Sequence, residues 1–252
     1  MSARGRNPLT RFSATVEDYR RFRPEYPAAL FDWIAETTGV APPARVLDIG
    51  CGTGIVARQL AERGYRVVGV DPNPDMLSAA KAGVGSARFV RARAERTGLA
   101  RSSVALAVAG QAFHWFDPVR ACRELARVLS PGGSGVAFWN ERRPEGLGAA
   151  YDEVIGRHSS EYEALLRTAP KLDDYRRAMG PERHEAEFNN RQVLGREAFL
   201  GRARSSSYVA HGVADLPALE RELGELFEQH AQSGRVRLEY RVLALAWRPA
   251  AE

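Results

Sequence analysis

The sequence predicts an α/β fold: a doubly wound, mostly parallel seven-stranded sheet with an antiparallel last strand, helices on both faces and an inserted helical lid. Between residues 45 and 140, short apolar runs alternate with helical patterns, as in a parallel sheet with crossover helices. These runs are apolar throughout, which is typical of strands buried on both faces. The 252 residues suffice for one large domain or two small ones, and we expect a single domain over residues 1–252.

Two helices are expected ahead of the sheet, over residues 15–22 and 28–38, because a proline-containing segment separates two helical patterns there. Residues 1–12 show no such pattern and lack the apolar core of a signal peptide, so we expect a disordered tail. The longest apolar run is far shorter than the ~20 residues that a membrane span needs. We therefore expect a cytoplasmic protein without a membrane partner.

Five strands of the sheet are predicted from the apolar runs, over residues 45–49, 66–70, 87–91, 104–109 and 135–140. The helices between them are expected over residues 55–63, 74–82 and 117–129. The last of these helices has clear boundaries. Asp117 and Pro118 form a favourable N-cap and first turn, and the run that starts at Ser130-Pro131 ends the helix.

The composition changes after the fifth strand. Residues 141–185 are polar and interrupted by proline and glycine, so we expect a helical insertion or lid that sets substrate specificity and lies outside the core. A strand is expected at residues 185–193 and an amphipathic helix at residues 215–230. The run over residues 236–247 alternates at first and is then wholly apolar, which suits a final antiparallel strand.

Composition and charge exclude several classes of protein. The only cysteines are Cys51 and Cys122, and the five histidines are scattered, so we expect neither a disulfide scaffold nor a metal site. The formal net charge is +5, and 34 of the 36 basic residues are arginines. A nucleic-acid-binding surface usually shows a broad stripe with lysine as well, so we interpret this excess mainly as solvated surface charge. Arginine clusters could also grip a carboxylate or phosphate of a small substrate.

The most informative segment is a glycine loop after the first predicted strand. Gly50, Gly52 and Gly54 lie between this strand and the next helix, where the backbone turns sharply and approaches a ligand without Cβ atoms in the way. The second strand ends in Asp71, whose carboxylate can accept hydrogen bonds from both hydroxyls of a ribose. Together, the loop and this acid predict a cofactor that contains adenosine.

The spacing of the glycines distinguishes between adenosine cofactors. The dinucleotide fingerprint requires its third glycine where this chain has Ile55, and here that glycine stands one position earlier. The loop also lacks the lysine that characterises loops for nucleoside triphosphates. Both observations disfavour a nicotinamide dinucleotide and a nucleoside triphosphate.

Three motifs, at residues 46–54, 69–76 and 127–133, resemble in order and spacing the class I, Rossmann-like methyltransferases that use S-adenosylmethionine. The similarity covers nearly the whole chain. Residues 19–27 and 110–117 are similar to a narrower small-molecule branch that includes the trans-aconitate methyltransferase-like proteins. The resemblance implies S-adenosyl-L-methionine as the cofactor and S-adenosyl-L-homocysteine as its product.

The resemblance also implies which residues hold the cofactor. The amino-acid end would be held by Asp48, Gly50, Cys51, Gly52 and Gly54, and the ribose by Asp71. The residues around the adenine would be Pro72, Met76, Arg93, Ala94 and Glu95, those near the methionine portion Gln111 and Phe113, and those over the carboxylate Tyr19 and Arg23. Many relatives have an aspartate in place of Arg93, which would accept the adenine amino proton. Since arginine cannot accept it, a backbone carbonyl would have to take that role.

The residues that handle the methyl acceptor are less clearly marked, because methyl transfer mainly requires alignment and exclusion of water. His114 follows the fourth strand at the open edge of the sheet and is either a general base or a structural histidine. Trp115 is expected to line the acceptor pocket. Asn140 and Arg142 leave the fifth strand at the same edge and are expected to bind the substrate.

Three functions are compatible with these motifs. The first is methyl transfer to an oxygen or nitrogen of a small-molecule acceptor by a monomer or homodimer. The second is a methyltransferase fold that binds the cofactor without methylating, as a cyclase, an isomerase or a non-catalytic partner. The third, RNA methylation, is disfavoured because the chain lacks the base-reading and Pro-Cys motifs of nucleic-acid methyltransferases.

Overall fold

The computed structural model describes residues 13–168 and 172–249, and within them seven strands form one sheet. The strands are β1 (Arg45–Ile49), β2 (Arg66–Asp71), β3 (Arg88–Arg91), β4 (Val104–Gly110), β5 (Leu129–Arg142), β6 (Arg183–Leu194) and β7 (Val236–Trp247). Their order is β3-β2-β1-β4-β5-β7-β6, and β7 runs antiparallel to both of its neighbours. Strands β1 to β5 are parallel, so the predicted fold class is confirmed. The tail expected over residues 1–12 lies outside the described residues.

The described residues also contain α-helices on both sides of this sheet. They are α1 (Val16–Phe22), α2 (Ala28–Thr38), α3 (Ile55–Glu62), α4 (Pro74–Gly83), α5 (Pro118–Val128), α6 (Gly146–His158), α7 (Tyr162–Thr168), α8 (Leu172–Met179), α9 (Arg196–Arg204), α10 (Ser207–Gly212) and α11 (Leu216–His230). Asp117 caps α5 as predicted, because its carboxylate accepts the amide proton of Arg120 at 3.0 Å.

Both faces of the sheet are covered because successive residues of an inner strand point to opposite sides. In β1, Val46 joins the apolar cluster under α2 and α3, whereas the next residue, Leu47, joins the cluster under α5 and α8. Leu106 and Ala107 of β4 divide in the same way. The carboxyl edge of the parallel strands is thus held between two packed layers.

A third apolar cluster lies beyond the sheet and unites α6, α9, α11 and the first half of β7. It corrects the expectation for residues 141–185, because that segment does not lie outside the core. Tyr151 and Ile155 of α6 are fully buried in the third cluster, and Tyr175 of α8 is buried against the sheet. The segment appears polar in the sequence because most of its residues lie on the outward faces of its helices. The few buried side chains therefore gave no clear apolar pattern.

Several boundaries differ from the predictions. Strand β5 begins at Leu129 instead of residue 135, with an irregularity in its pairing with β4, and β6 spans twelve residues. The strands β3 and β6 lie at the two edges of the sheet and are largely half-exposed or exposed rather than buried on both faces. Helices α9 and α10 were not predicted, although α9 contributes to the site described below.

Candidate functional site

Two adjoining cavities open at the carboxyl edge of β1, β2 and β4, with empty volumes of about 720 and 480 Å³. Tyr19, Gly50 and Gln111 line both cavities, which makes them one continuous groove. Thirteen of the fifteen residues predicted to contact the cofactor line one cavity or the other; the exceptions are Gly54 and Phe113. A groove at the carboxyl ends of parallel strands is the usual place for a ligand in an open α/β sheet.

The glycine loop between β1 and α3 makes the floor of the groove. Gly50, Gly52 and Gly54 have φ angles of 71°, 52° and 83°, in the left-handed region that favours glycine. A Cβ atom on Gly50 would lie 2.6 Å from the Cβ of Ala112, so the loop packs directly against the chain that follows β4. A Cβ atom on Gly52 would meet nothing within 4 Å, because this glycine faces the open cavity. Gly54 lies behind the groove and forms the N-cap of α3.

Asp71 ends β2 and lines the first cavity. Its two carboxylate oxygens accept one backbone proton each, from Gly52 at 3.0 Å and from Asn73 at 2.8 Å. Burial raises the pKa of Asp71 above its usual value, although these two hydrogen bonds offset part of the effect. Each oxygen keeps a further lone pair, so the fixed carboxylate can accept both hydroxyls of a ribose.

Asp48 and Thr53 lie beneath the second cavity with unsatisfied oxygens. Asp48 Oδ2 and Thr53 Oγ1 are buried and have no hydrogen-bond partner among the described residues. Burial, and to a smaller extent the charge of Asp71, raise the pKa of Asp48 to about 8. A buried acceptor that lacks a donor suits the ammonium group of an amino-acid ligand. Thr53 was not predicted, although it stands inside the glycine motif.

The adenine side of the first cavity combines apolar and polar walls. Pro72, Met76 and Ala94 line it, and Glu95 accepts the amide proton of Asp117 at 2.9 Å. Arg93 also lines the cavity, with an exposed side chain.

Gln111 joins the two halves of the groove. It has a positive φ of 53°, and its side-chain oxygen accepts the amide proton of Asn140 at 2.8 Å. This bond holds the ends of β4 and β5 together at the groove. Burial raises the pKa of Cys51 well above its usual range, so this residue of the loop stays a thiol at the wall of the second cavity.

Phe113 was predicted to contact the methionine portion, and the structure corrects this. Its side chain is 0% exposed and packs edge-on against Phe116, Tyr175 and Trp247 in the core. Ala112 before it and Phe116 three residues after it line the first cavity instead. The prediction failed because the chain forms a 3₁₀ turn after β4, which rotates successive side chains away from the alternation of a strand.

His114 lies in the same turn and is held as a neutral hydrogen-bond donor. Its Nδ1 is 3.3 Å from the indole Nε1 of Trp139, and since indole only donates, the imidazole proton resides on Nε2. Burial, together with the charge of Arg23, lowers the pKa of His114 to about 4. This environment favours the structural interpretation of His114 over a general base.

The three residues expected to bind the acceptor do not lie together. Trp115 lines the first cavity, and Asn140 lines the second. Arg142 lines neither. Its guanidinium pairs with Asp152, donates to the Tyr208 hydroxyl at 3.1 Å and lies 5.0 Å from the Tyr151 ring. Arg142 therefore supports the wall of the site from behind.

Helix α1 and the segment after it close the groove from above. The Arg23 guanidinium lies 4.7 Å from the centre of the Tyr19 ring and donates to the backbone oxygen of Ser205 at 2.9 Å. Arg202 of α9 lines the second cavity beside Arg23, a role that the sequence did not indicate. The contact of α1 with α9 is close, because a Cβ atom on Gly201 would lie 2.2 Å from the Phe22 ring.

These features fit S-adenosylmethionine. Asp71 suits the ribose, Asp48 and Thr53 offer unsatisfied acceptors for the amino group, and Gly52 leaves room for close backbone approach. The described residues contain no group of histidine, cysteine and acidic side chains that could hold a metal ion. None of the described helices is both long and apolar enough to cross a membrane.

Comparison with known proteins places this geometry in a family. Residues 47–137 match the methyltransferase domain model. An uncharacterized methyltransferase of Mycobacterium tuberculosis is 36% identical over 210 residues, which cover 82% of this chain and 81% of the relative. A structure assigned as a type II methyltransferase from Anaeromyxobacter dehalogenans has a TM-score of 0.65 at 31% identity, covering 92% of this chain and 100% of that chain.

A geranyl diphosphate C-methyltransferase from Streptomyces coelicolor, solved with S-adenosyl-L-homocysteine, has a TM-score of 0.51 at 18% identity. The alignment covers 87% of this chain and 75% of that one, and it shows a shared fold. The domain match, the relative and the sheet order agree with the glycine loop and its acid. The chain belongs to the class I S-adenosylmethionine-dependent methyltransferases.

Proposed function

We propose that this methyltransferase transfers the methyl group to an oxygen or nitrogen of a small-molecule acceptor by in-line displacement. The observation that carries the proposal is the continuous groove, in which the ribose-binding side at Asp71 leads into a second cavity enclosed by α1 and α9. An acceptor that enters beneath these helices has to be small. S-adenosylmethionine, when bound, supplies an electrophilic methyl group.

The chain would act mainly by holding its ligands in line and keeping water out. Asp71 and the glycine loop fix the adenosine half, and Asp48 orients the amino-acid half. His114, whose Nδ1 accepts the Trp139 indole proton, would support the turn after β4 rather than contact the acceptor. Asn140 and Gln111, tied to each other, would form the wall against which the acceptor is aligned.

The donor site is tested by calorimetric titration and thermal melting with S-adenosylhomocysteine, with NAD as the negative ligand. At a hundredfold excess over the dissociation constant, binding stabilises a protein by about 2.7 kcal/mol, which raises the melting temperature by several degrees in a chain of this size. Asp71→Ala should lose this stabilisation. Asp75→Ala, which removes an exposed carboxylate four residues away, should keep it.

Methyl transfer is tested by incubating the protein with methyl-labelled cofactor and fractionated cell extract. A labelled small-molecule product that disappears with Asp71→Ala supports the proposal. Binding without any labelled product favours the alternative of a cofactor-binding cyclase, isomerase or non-catalytic partner. Label recovered in RNA would instead revive nucleic-acid methylation.

A further inference from the structure

The adenine side of the first cavity is carried by the loop that follows β3, which we call the adenine loop (residues 92–99). Arg93, Ala94 and Glu95 of this loop line the cavity. The amide of Arg96 donates to the carbonyl of Arg93 at 3.1 Å, so Ala94 and Glu95 form the tip of a turn. Since β3 is a four-residue strand at the edge of the sheet, contacts with other elements have to fix where this tip lies.

A buried carboxylate holds the far end of the adenine loop. Glu124 of α5 is 8% exposed, and its Oε1 accepts the amide proton of Thr97 at 2.8 Å and the hydroxyl proton of Thr97 at 2.6 Å. Thr97 itself is 0% exposed and lies two residues after the tip. Short hydrogen bonds to an ionised acceptor are about twice as strong as those between neutral groups. One side chain of α5 therefore fixes this end of the loop.

Arg127, one turn further along α5, completes the contact. Its Nε donates to Glu124 Oε2 at 2.8 Å, and its Nη2 donates to Glu124 Oε1 at 2.7 Å and to the Leu99 carbonyl at 2.8 Å. Although burial raises it, the hydrogen bonds from Arg127 and Thr97 lower the pKa of Glu124 to about 2. The carboxylate therefore stays ionised near neutral pH and well below it. We call Thr97, Glu124 and Arg127 the loop clamp.

Helix α5 holds the tip of the adenine loop as well. The side chain of Glu95 accepts the amide proton of Asp117 at 2.9 Å, and Asp117 is the N-cap of α5. The helix itself packs against the sheet through the buried Ala121, Leu125 and Val128. The position of the adenine side of the cavity is therefore set by α5 rather than by the short strand β3.

The other parts of the cofactor site are held independently of the loop clamp. The carboxylate of Asp71, which would bind the ribose, is fixed by the amides of Gly52 and Asn73. In the part of the chain that the structure describes, no clamp residue has a hydrogen bond to the glycine loop or to this carboxylate. Loss of the clamp should therefore release one side of the cavity and leave the others in place.

We propose that Glu124 is a positioning residue for the cofactor: by holding Thr97, it fixes the adenine loop so that the first cavity can enclose the base. Glu124 does not line this cavity and acts through the loop alone. The inference rests on the cofactor placement that the proposed function also uses, but it applies to whichever small molecule is methylated.

The test compares two ligands that differ only in the base. Calorimetric titration measures the affinity for S-adenosylhomocysteine, and displacement of this ligand measures the affinity for S-ribosylhomocysteine, which lacks the adenine. Glu124→Gln keeps the size of the side chain but loses the charge that Thr97 and Arg127 share. We expect it to weaken S-adenosylhomocysteine about tenfold, as the loss of a charged hydrogen-bond acceptor does, and to leave S-ribosylhomocysteine unchanged.

Milder variants separate positioning from a general loss of stability. Thr97→Val keeps the shape of the side chain and loses the hydroxyl, so it should show the same selective weakening to a smaller extent. Thr97→Ser keeps the hydroxyl and should bind like the wild type. Glu153→Gln, which removes an exposed glutamate–arginine pair on α6, is the matched control and should change neither affinity.

Hydrogen exchange at saturating S-adenosylhomocysteine gives an independent readout. In Glu124→Gln, the amides of residues 92–99 should exchange faster than in the wild type, whereas those of residues 50–54 in the glycine loop should keep their protection. This comparison decides alone if the wild type binds S-ribosylhomocysteine too weakly for displacement.

Three results would overturn the inference: an unchanged affinity of Glu124→Gln for S-adenosylhomocysteine, equal weakening of both ligands, or an equal loss of protection in the two loops. The last two would assign Glu124 to general stability. Failure of S-adenosylhomocysteine to bind the wild type overturns the cofactor placement itself, and it is seen before any variant is compared.

Discussion

Asp48 shows how one buried group couples ligand binding to protons. Its pKa is raised to about 8, so near neutral pH the carboxyl group is mostly protonated in the free protein. An ammonium group placed beside its unsatisfied oxygen favours the carboxylate and releases the proton. Binding and deprotonation are therefore linked.

We predict that the affinity for S-adenosylhomocysteine rises between pH 6 and pH 8, by up to about tenfold per pH unit, with about one proton released. Calorimetry in two buffers of different ionisation enthalpy measures both quantities. Asp48→Asn should bind more weakly and show a flat profile. Proton uptake, or a pH dependence that survives in Asp48→Asn, would contradict the linkage.

The raised pKa of Asp48 affects the folding stability of the free protein in the opposite sense, since stability falls with pH where the affinity for the ligand rises. The folded state holds the Asp48 proton more tightly than the unfolded chain, so this group stabilises the protein at low pH. That contribution is lost as the pH rises from about 4, the unfolded value, through about 8. The residue thus weakens the free fold under the conditions in which it binds best.

For His114 we predict a neutral imidazole throughout the physiological range. Burial, with the charge of Arg23, lowers its pKa to about 4, and Trp139 fixes the proton on Nε2. An NMR titration should find the ring signals of His114, assigned with His114→Gln, unchanged from pH 8 to about pH 5. A titration midpoint near pH 6.5 would restore the general-base interpretation.

In the glycine loop, one glycine is needed mainly for folding stability and another mainly for ligand binding. Alanine at either Gly50 or Gly52 strains a left-handed backbone by roughly 1–2 kcal/mol. At Gly50 the new methyl group would also collide with Ala112 and Phe116, whereas at Gly52 it would enter open space that the ligand needs.

We therefore predict that Gly50→Ala loses roughly 1–3 kcal/mol of unfolding free energy beyond the backbone strain, through overpacking. Gly52→Ala should lose only the strain but bind S-adenosylhomocysteine much more weakly. Urea denaturation and calorimetry on the same pair of variants measure both effects. Equal losses of stability in the two variants would show that the contact with Ala112 is unimportant.

The elements that the sequence predicted are those whose signals are local. The glycine loop and Asp71 lie within one strand–turn–helix–strand unit, so their spacing alone indicated the adenosine site. Arg202 could not be found in this way, because its role depends on the packing of Gly201 against Phe22, far away in the chain. Similarly, the sequence could not decide between a general base and a structural role for His114. The structure favours the structural role, because the indole of Trp139, 25 residues later in the chain, donates its proton to His114 Nδ1.

At the scale of the whole molecule, the groove is covered by the α1 segment rather than by the expected lid alone. Tyr26 exchanges hydrogen bonds with the Gln59 side chain, at 3.2 and 2.8 Å, and Gln192 donates to the Phe22 carbonyl at 3.0 Å. Together with the packing of Phe22 against Gly201 and the bond from Arg23 to Ser205, these contacts hold the cover over both cavities. A ligand that fills the groove would stabilise it further.

We predict that S-adenosylhomocysteine reduces hydrogen exchange most strongly in the backbone amides of residues 16–27, by a factor that exceeds the change in residues 146–158. Helix α6 is already anchored in the third apolar cluster and should respond less. Hydrogen-exchange mass spectrometry with and without the ligand compares the two segments. Greater protection of residues 146–158 would contradict this prediction and show that α6, rather than the α1 segment, closes over the ligand.

The position of β7 also bears on how the chain reaches this state. This strand follows β6 in the chain but lies between β5 and β6 in the sheet, and Glu141 of β5 pairs with Arg241 a hundred residues later. During synthesis, β5 and β6 therefore both wait with unpaired edges until β7 leaves the ribosome. Such edges invite pairing with other chains. The nascent protein should depend on chaperones at this late stage, and truncation before β7 should give aggregates rather than a smaller folded enzyme.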